Sequence, residues 1–223
     1  VFISSSVFRD SDDVMDRIIE AGELVRDFVD YLHLKIMPYS DKDQIKRAIE
    51  VADRVSLNFE SPRKDILSEV SSLKNFKEFL RQERTISKLV KKAGKSHTTQ
   101  IIIGLGETDY DALKFAEVMY KKFGAKRVYY SPFTPVKGTP MENERAERVE
   151  RMKRLYRADA LIRLYGYSVK DMKEIMIDGF LPKDDPKILL AEKFGILDFI
   201  SLPGIGLKAA KMLEKGFTLA DLK

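Results

Sequence analysis

At 223 residues, with 44% hydrophobic and 34% charged side chains and a net charge of +5, the chain can hold one large domain, or one medium domain with a small appendage. It has no cysteine and only two histidines, His33 and His97, which excludes disulfides, thiolate ligation by this chain and a histidine-built metal site. No apolar run reaches the length of a membrane span and no signal peptide is visible, so a cytoplasmic location without membrane contact is expected.

The chain reads as strand then helix, repeated. Val1 to Ser5 is a β-rich run. Asp10 to Asp13 caps a helix whose apolar residues Val14, Ile18, Leu24 and Val25 recur at helical spacing. Tyr31 to Met37 is a strand ended by Pro38, and Asp41 opens a helix with Ile45, Ala48, Ile49 and Ala52 on one face. Arg54 to Phe59 is the next strand, and Ser61-Pro62 starts another helical region. Thr99 to Ile103 is a strand; Thr108 to Asp111 then caps a helix over Ala112 to Phe123 that stops at Gly124. Lys126 to Ser131 is the last strand, and a proline-rich loop leads into a long helix from about Glu144 to Leu164. Val1 already reads as mid-strand and Phe217 to Lys223 as the start of a helix, so both ends read as cut from a longer protein.

Five strands alternating with helices predict a parallel sheet, either open and doubly wound or part of a TIM-type barrel. No GxGxxG and no P-loop lysine follows a strand, which argues against a simple nucleotide-binding Rossmann domain. The residues at the strand ends are polar or glycine-rich: Ser4-Ser5-Ser6, Lys35, Asn58-Phe59-Glu60, Gly104 to Glu107, and Tyr130-Ser131. In a barrel, such ends build the active site. Tyr129, Tyr130 and Phe133 make an aromatic strand end suited either to base stacking or to ordinary core packing. Glu107 reads more simply as part of a helix start.

The positive charge is concentrated. From Lys74 to Lys95 eight bases face two acids, so this segment carries +6 and the remainder −1. Seven of the bases recur in steps of three and four, opposite Phe76, Phe79, Leu80, Ile86, Leu89 and Val90. That stripe is either a nucleic-acid backbone surface or a solvated helix face. Arg145, Arg148, Arg151, Arg154 and Arg157 instead wind around their helix, with Glu144–Arg148, Glu147–Arg151 and Glu150–Arg154 as i,i+4 pairs, and read as salt-laced surface without a function.

Near the end, Phe199 to Ala210 reads as a short helix, a Pro-Gly-Ile-Gly hairpin and a second helix over Leu207 to Lys215. Glycines at 204 and 206 let the backbone approach a ligand, and the helix start beyond them suits a phosphate. The segment resembles the helix-hairpin-helix motif. That resemblance implies duplex-DNA contact, sequence-nonspecific, through Leu202, Gly204, Ile205, Gly206, Lys208 and Lys211, with Ile205, Ala210 and Leu213 buried. The plainer alternative is a glycine-capped packing hairpin.

Phe2 to Ser6, Leu32 to Lys35, Arg54 to Glu60, Ile101 to Gly104 with Gly106 to Asp109, and Arg127 to Ser131 form an ordered series. With the terminal hairpin, it resembles the radical S-adenosylmethionine enzymes, and within them a DNA-modification or repair subfamily ending in a helix-hairpin-helix. The resemblance implies an α/β fold: a partial (β/α)6 barrel of TIM type, here missing its first strand, followed by a small all-α region. It also implies a 4Fe-4S cluster on a CxxxCxxC loop, and S-adenosylmethionine cleaved to a 5′-deoxyadenosyl radical. The cysteine loop is absent from this chain, so the cluster strand is expected upstream in a longer parent.

Carried onto this sequence, Ser4, Ser5 and Ser6 fall where the family meets the cofactor's amino group. Lys35 falls opposite its carboxylate, Asn58 and Glu60 at the ribose or amino group, and Ile103-Gly104 along adenine. Each is alternatively a polar barrel residue satisfied internally. The implied organisation is a barrel over 1–166, a linker over 167–184 and the DNA-binding region over 185–223. The implied partners are DNA and a reductase or other electron donor. A barrel with a DNA-docking tail and no radical chemistry is the alternative.

Overall fold

The computed structural model describes residues 1–6, 11–70, 75–194, 204–205 and 212–213. All five expected strands form: β1 (Phe2–Ile3), β2 (His33–Lys35), β3 (Arg54–Ser56), β4 (Ser96–Ile103) and β5 (Arg127–Pro132). They make one parallel sheet in chain order, β1-β2-β3-β4-β5. A doubly wound sheet reverses strand order at a switch point. No reversal occurs among these strands, so that alternative is excluded for them.

The helices are α1 (Ser11–Val25), α2 (Lys42–Val51), α3 (Lys64–Val70), α4 (Phe76–Ala93), α5 (Asp109–Val118), α6 (Val149–Tyr165), α7 (Val169–Lys173) and α8 (Pro186–Phe194). Local chemistry sets several ends. Asp41 and Gln44 form a reciprocal capping box at α2, and Ser168 and Asp171 do the same at α7. α5 continues as a π-helical turn over Met119–Phe123 and ends at Gly124, whose φ of 71° is the left-handed cap expected of glycine. α6 begins five residues later than its charge pattern suggests. Gly138 (φ 81°) and the chain through Pro140 instead form successive turns, with Thr139, Glu142 and Glu144 donating three residues back.

The chain divides into two compact units, Val1–Glu107 with Val118–Phe133, and Thr108–Glu117 with Thr134–Lys223. The first holds all five strands with α1 to α4. Leu34, Val55, Ile101, Ile103, Val128 and Tyr130 are buried on one face of the sheet. Gly22 lets α1 approach β2, since a Cβ there would stand 3.1 Å from Leu34 Cδ1. That contact rotates the buried stripe of α1 to Met15, Ile18, Ile19 and Gly22, and leaves Leu24 76% exposed, contrary to the stripe read from its spacing.

A titratable pair is buried in the same unit. Glu83 of α4 and His97 of β4 are 0% and 2% exposed, with Oε1 and Nε2 2.8 Å apart but not aligned as a hydrogen bond. Burial pushes the Glu83 carboxyl up, and the adjacent His97 pulls the other way.

The second unit is organised on a buried ion pair. Arg151 of α6, expected on the surface, has its side chain 9% exposed, and its Nε donates to Asp109 at 2.7 Å. The other Asp109 oxygen accepts from Leu181 N–H at 2.9 Å. Arg151 also donates to Glu147 at 2.6 Å and lies over the Phe180 ring at 5.2 Å. Burial, the largest single influence, pushes the Glu147 carboxyl up, but the hydrogen bonds from Arg151 and the Arg148 N–H, with the Arg151 and Arg154 charges, together hold the group below its ordinary value. Spacing of three alone hid Arg151, because the acid that pairs with it lies 42 residues away.

Candidate cofactor cavity

Side chains alternate across a strand, so the residues opposite the apolar face share the other one. Register sets them in rows: Phe2, His33, Arg54 and Ser96 in one, then Lys35, Ser56, Thr98 and Arg127 in the next, with Gln100 beside Tyr129 beyond. Parallel strands covered on both faces usually read apolar throughout. This face is polar, yet Ser56 and Thr98 are 4% and 0% exposed. Such a face is neither a solvated sheet nor a packed core, and it encloses a space.

That space is a cavity of about 520 Å³, within the range of cofactor sites, bounded by Phe2, Ser4, His33, Lys35, Ser56, Asn58, Thr98, Gln100 and Tyr129. Among the described residues the lining carries one cation, Lys35, and no carboxylate. Lys35 Nζ donates to the Ser5 carbonyl at 3.2 Å. Two buried polar atoms of the lining, His33 Nε2 and Thr98 Oγ1, have no hydrogen-bond partner among the described residues. Leaving such groups unmade costs on the order of 1–3 kcal/mol each, and a polar occupant would recover it.

Burial, then the Arg54 charge and the chain's amino terminus, lower the His33 pKa from 6.5 to about 4. The imidazole is therefore neutral at pH 7. A base whose folded pKa is depressed contributes stability above its unfolded value, and that stability is lost as pH falls through about 6.5 toward 4. Urea unfolding at a series of pH values is expected to show this slope, and His33→Asn is expected to remove it. An unchanged slope in the variant would place the titration elsewhere.

The sites expected from sequence separate into two groups. Ser4, Lys35 and Asn58 meet in the cavity. Ser5 lies in a groove beside Val14 and Ile18 of α1, and Ser6 is exposed. Glu60 has φ 64°, so the alternation that pairs it with Asn58 does not extend to it; its backbone instead bridges β4, donating to Gln100 O at 3.0 Å and accepting from Ile102 N at 2.7 Å. Ile103 is 0% exposed on the apolar side, and its carbonyl accepts from Phe133 N. Gly104 has φ 96°. The carboxylate of Glu107, 1% exposed, accepts from Gly104 N at 2.8 Å and Leu105 N at 2.9 Å, so this residue ties the loop after β4. His33, Ser56, Thr98 and Gln100 were missed, although the polar residues of β4 ahead of Ile101 to Ile103 were a legible signal.

The nucleic-acid readings are only partly described. Gly204 has φ 79°, and Lys187 Nζ donates to the Ile205 carbonyl at 2.9 Å. Leu202, Gly206, Lys208 and Lys211 lie outside the described residues, as does Lys74. On α4, Lys77, Arg81, Arg84, Lys88, Lys91 and Lys92 are exposed, so that stripe exists. Lys95 is not part of it, because its ammonium donates to the Ile49 and Glu50 carbonyls at the end of α2. Among the described residues no cluster of histidine and acidic side chains suited to a metal ion occurs, and no helix is long and apolar enough to cross a membrane.

No protein-family model matches the chain. It is 26% identical over 152 residues to a biotin synthase of Persephonella marina, covering 66% of this chain and 40% of that protein. It is 36% identical over 85 residues to a biotin synthase of a Hydrogenobaculum species, covering 35% of this chain and 25% of that protein. The matched stretches thus span less than half of either relative.

Proposed function

We propose that the chain is the cofactor- and substrate-binding part of a radical S-adenosylmethionine enzyme that acts on DNA. The carrying observation is the half-buried polar face of the sheet, with its cavity of about 520 Å³. The likeness to biotin synthase, itself a radical S-adenosylmethionine enzyme, supports the superfamily. It does not extend to a DNA substrate, which rests on the hairpin sequence and the α4 stripe. On this reading the five strands are an arc of a (β/α)6 barrel, and the cavity is its interior.

The lining fits S-adenosylmethionine: a cation for its carboxylate, hydroxyl and amide oxygens for its ammonium, and amides for its ribose and adenine edges. Lys35 would take the carboxylate, Ser4 the amino group with Ser5 and Ser6 beside it, and Asn58 a ribose hydroxyl. Glu60 would reach the ribose or the amino group from the strand end, and the Ile103-Gly104 backbone would run along the adenine. Bound beside a reduced cluster, the cofactor supplies the 5′-deoxyadenosyl radical that the superfamily uses to abstract hydrogen. The residues present do not fit the 4Fe-4S cluster, because the chain has no cysteine; its ligands would come from outside this chain.

The test uses the full-length parent, reconstituted anaerobically with a chemical or enzymatic electron donor. Release of 5′-deoxyadenosine is expected, and its absence would overturn the catalytic reading in favour of a DNA-binding barrel without chemistry. Lys35→Ala removes a charge-assisted contact worth about 1.5–3 kcal/mol, so S-adenosylmethionine binding by equilibrium dialysis should weaken about 10- to 100-fold. For the substrate, salt-dependent and sequence-indifferent duplex binding is expected, and it should be lost in Gly204→Val with Lys208→Glu.

A further inference from the structure

We infer that the second unit carries a phosphate-binding pocket on the first two turns of α6, apart from the cavity and from the terminal hairpin. A concavity of about 450 Å³ lies there, bounded by six basic and two acidic side chains. Its charge is only partly cancelled locally, Glu147 acting on Arg154 as well as on Arg151. Arg151 is satisfied by Asp109 and Glu147, which uses one of the two acids, and Arg157 is 3.3 Å from Asp185. Arg148, Lys153, Arg154 and Lys183 converge on the same space, and among the described residues none of these four has a salt-bridge partner. Arg154 Nε is in addition buried without a hydrogen-bond partner among those residues.

The geometry favours an anion. Arg148, Arg151 and Arg154 step along α6 in threes, and Lys183 closes the pocket from the chain between α7 and α8. Arg151 is taken up by its own partners, which leaves the other bases to the ligand. A concave surface of one charge sign focuses potential and repels itself until an anion enters. Guanidinium forks match phosphate oxygens two at a time, so the ligand class is a phosphate group with at least two exposed oxygens. It can arrive as a phosphodiester of nucleic acid or as a free phosphate compound.

Two probes separate these sources, pyrophosphate by titration calorimetry and a labelled duplex oligonucleotide by fluorescence anisotropy, both on the full chain. Arg154→Gln with Lys183→Gln is expected to weaken binding at the pocket at least tenfold while circular dichroism stays unchanged. If both probes weaken, the pocket takes the phosphodiester. If pyrophosphate alone weakens, it takes a free phosphate, and the pocket stands even where the DNA reading fails. If neither weakens, or the wild-type chain binds neither probe, the inference is overturned. Should the double variant misfold, Lys153→Gln with Lys183→Gln replaces it with the same expected losses and the same overturning outcome.

Discussion

Asp109→Ala is expected to destabilise the protein by about 3–5 kcal/mol, because it leaves a buried guanidinium without its main counter-charge. Arg151 would retain Glu147, at the edge of the burial, but lose the buried carboxylate, and Leu181 N–H would lose its acceptor. The pair is 9% and 1% exposed, so water cannot replace the lost partner as it does at a surface. Urea unfolding and a thermal melt both read the effect, about 2–4 °C per kcal/mol for a chain of this size. Asp109→Asn retains an acceptor for Leu181 and loses only the charge, so it should cost less. Asp109→Leu with Arg151→Met should recover most of the loss, since a volume-matched apolar pair avoids desolvating two charges. A loss under about 1 kcal/mol in Asp109→Ala would rank the pair with exposed ones and refute the argument.

His97→Leu is expected to cost about 3 kcal/mol at neutral pH and to make stability fall with rising pH. Burial already holds the Glu83 carboxyl above its ordinary 4.5, and His97 is what opposes it. Without His97, Glu83 takes up a proton on folding. A carboxyl with a raised folded pKa contributes full stability below about 4.5 and loses it as pH climbs through the folded value, at up to about 1.4 kcal/mol per pH unit. Glu83→Leu with His97→Leu should be flat over the same range and close to wild type in stability. Equal slopes in the single and double variants would show that Glu83 is not the titrating group. This slope is opposite in sign to that of His33, so the two are separable by comparing variants.

Local features of the chain were legible because their causes are local. Asp41 with Gln44 and Gly124 each terminate a helix through atoms within a few residues, and spacing alone identifies them. The five strands were legible because β-branched and aromatic residues recur between turn signals. Lys35 and Asn58 were found as candidates from their place at strand ends, and both reached the cavity. Leu24 was misjudged by extrapolating a period around a close helix contact.

The sequence by itself determined the alternation of strand and helix, the absence of thiolate ligands and the basic face of α4, since each depends on residue type and short spacing. Only the tertiary structure decided strand order, the cavity and the ionised core of the second unit. Register across four strands is what sets Lys35, Ser56, Thr98 and Arg127 in one row, and none of these residues specifies the others. Asp109 buries Arg151 across 42 residues of chain, and no periodicity encodes that distance. A polar residue on a strand becomes part of a site only when its neighbours in space, which are remote in sequence, enclose it.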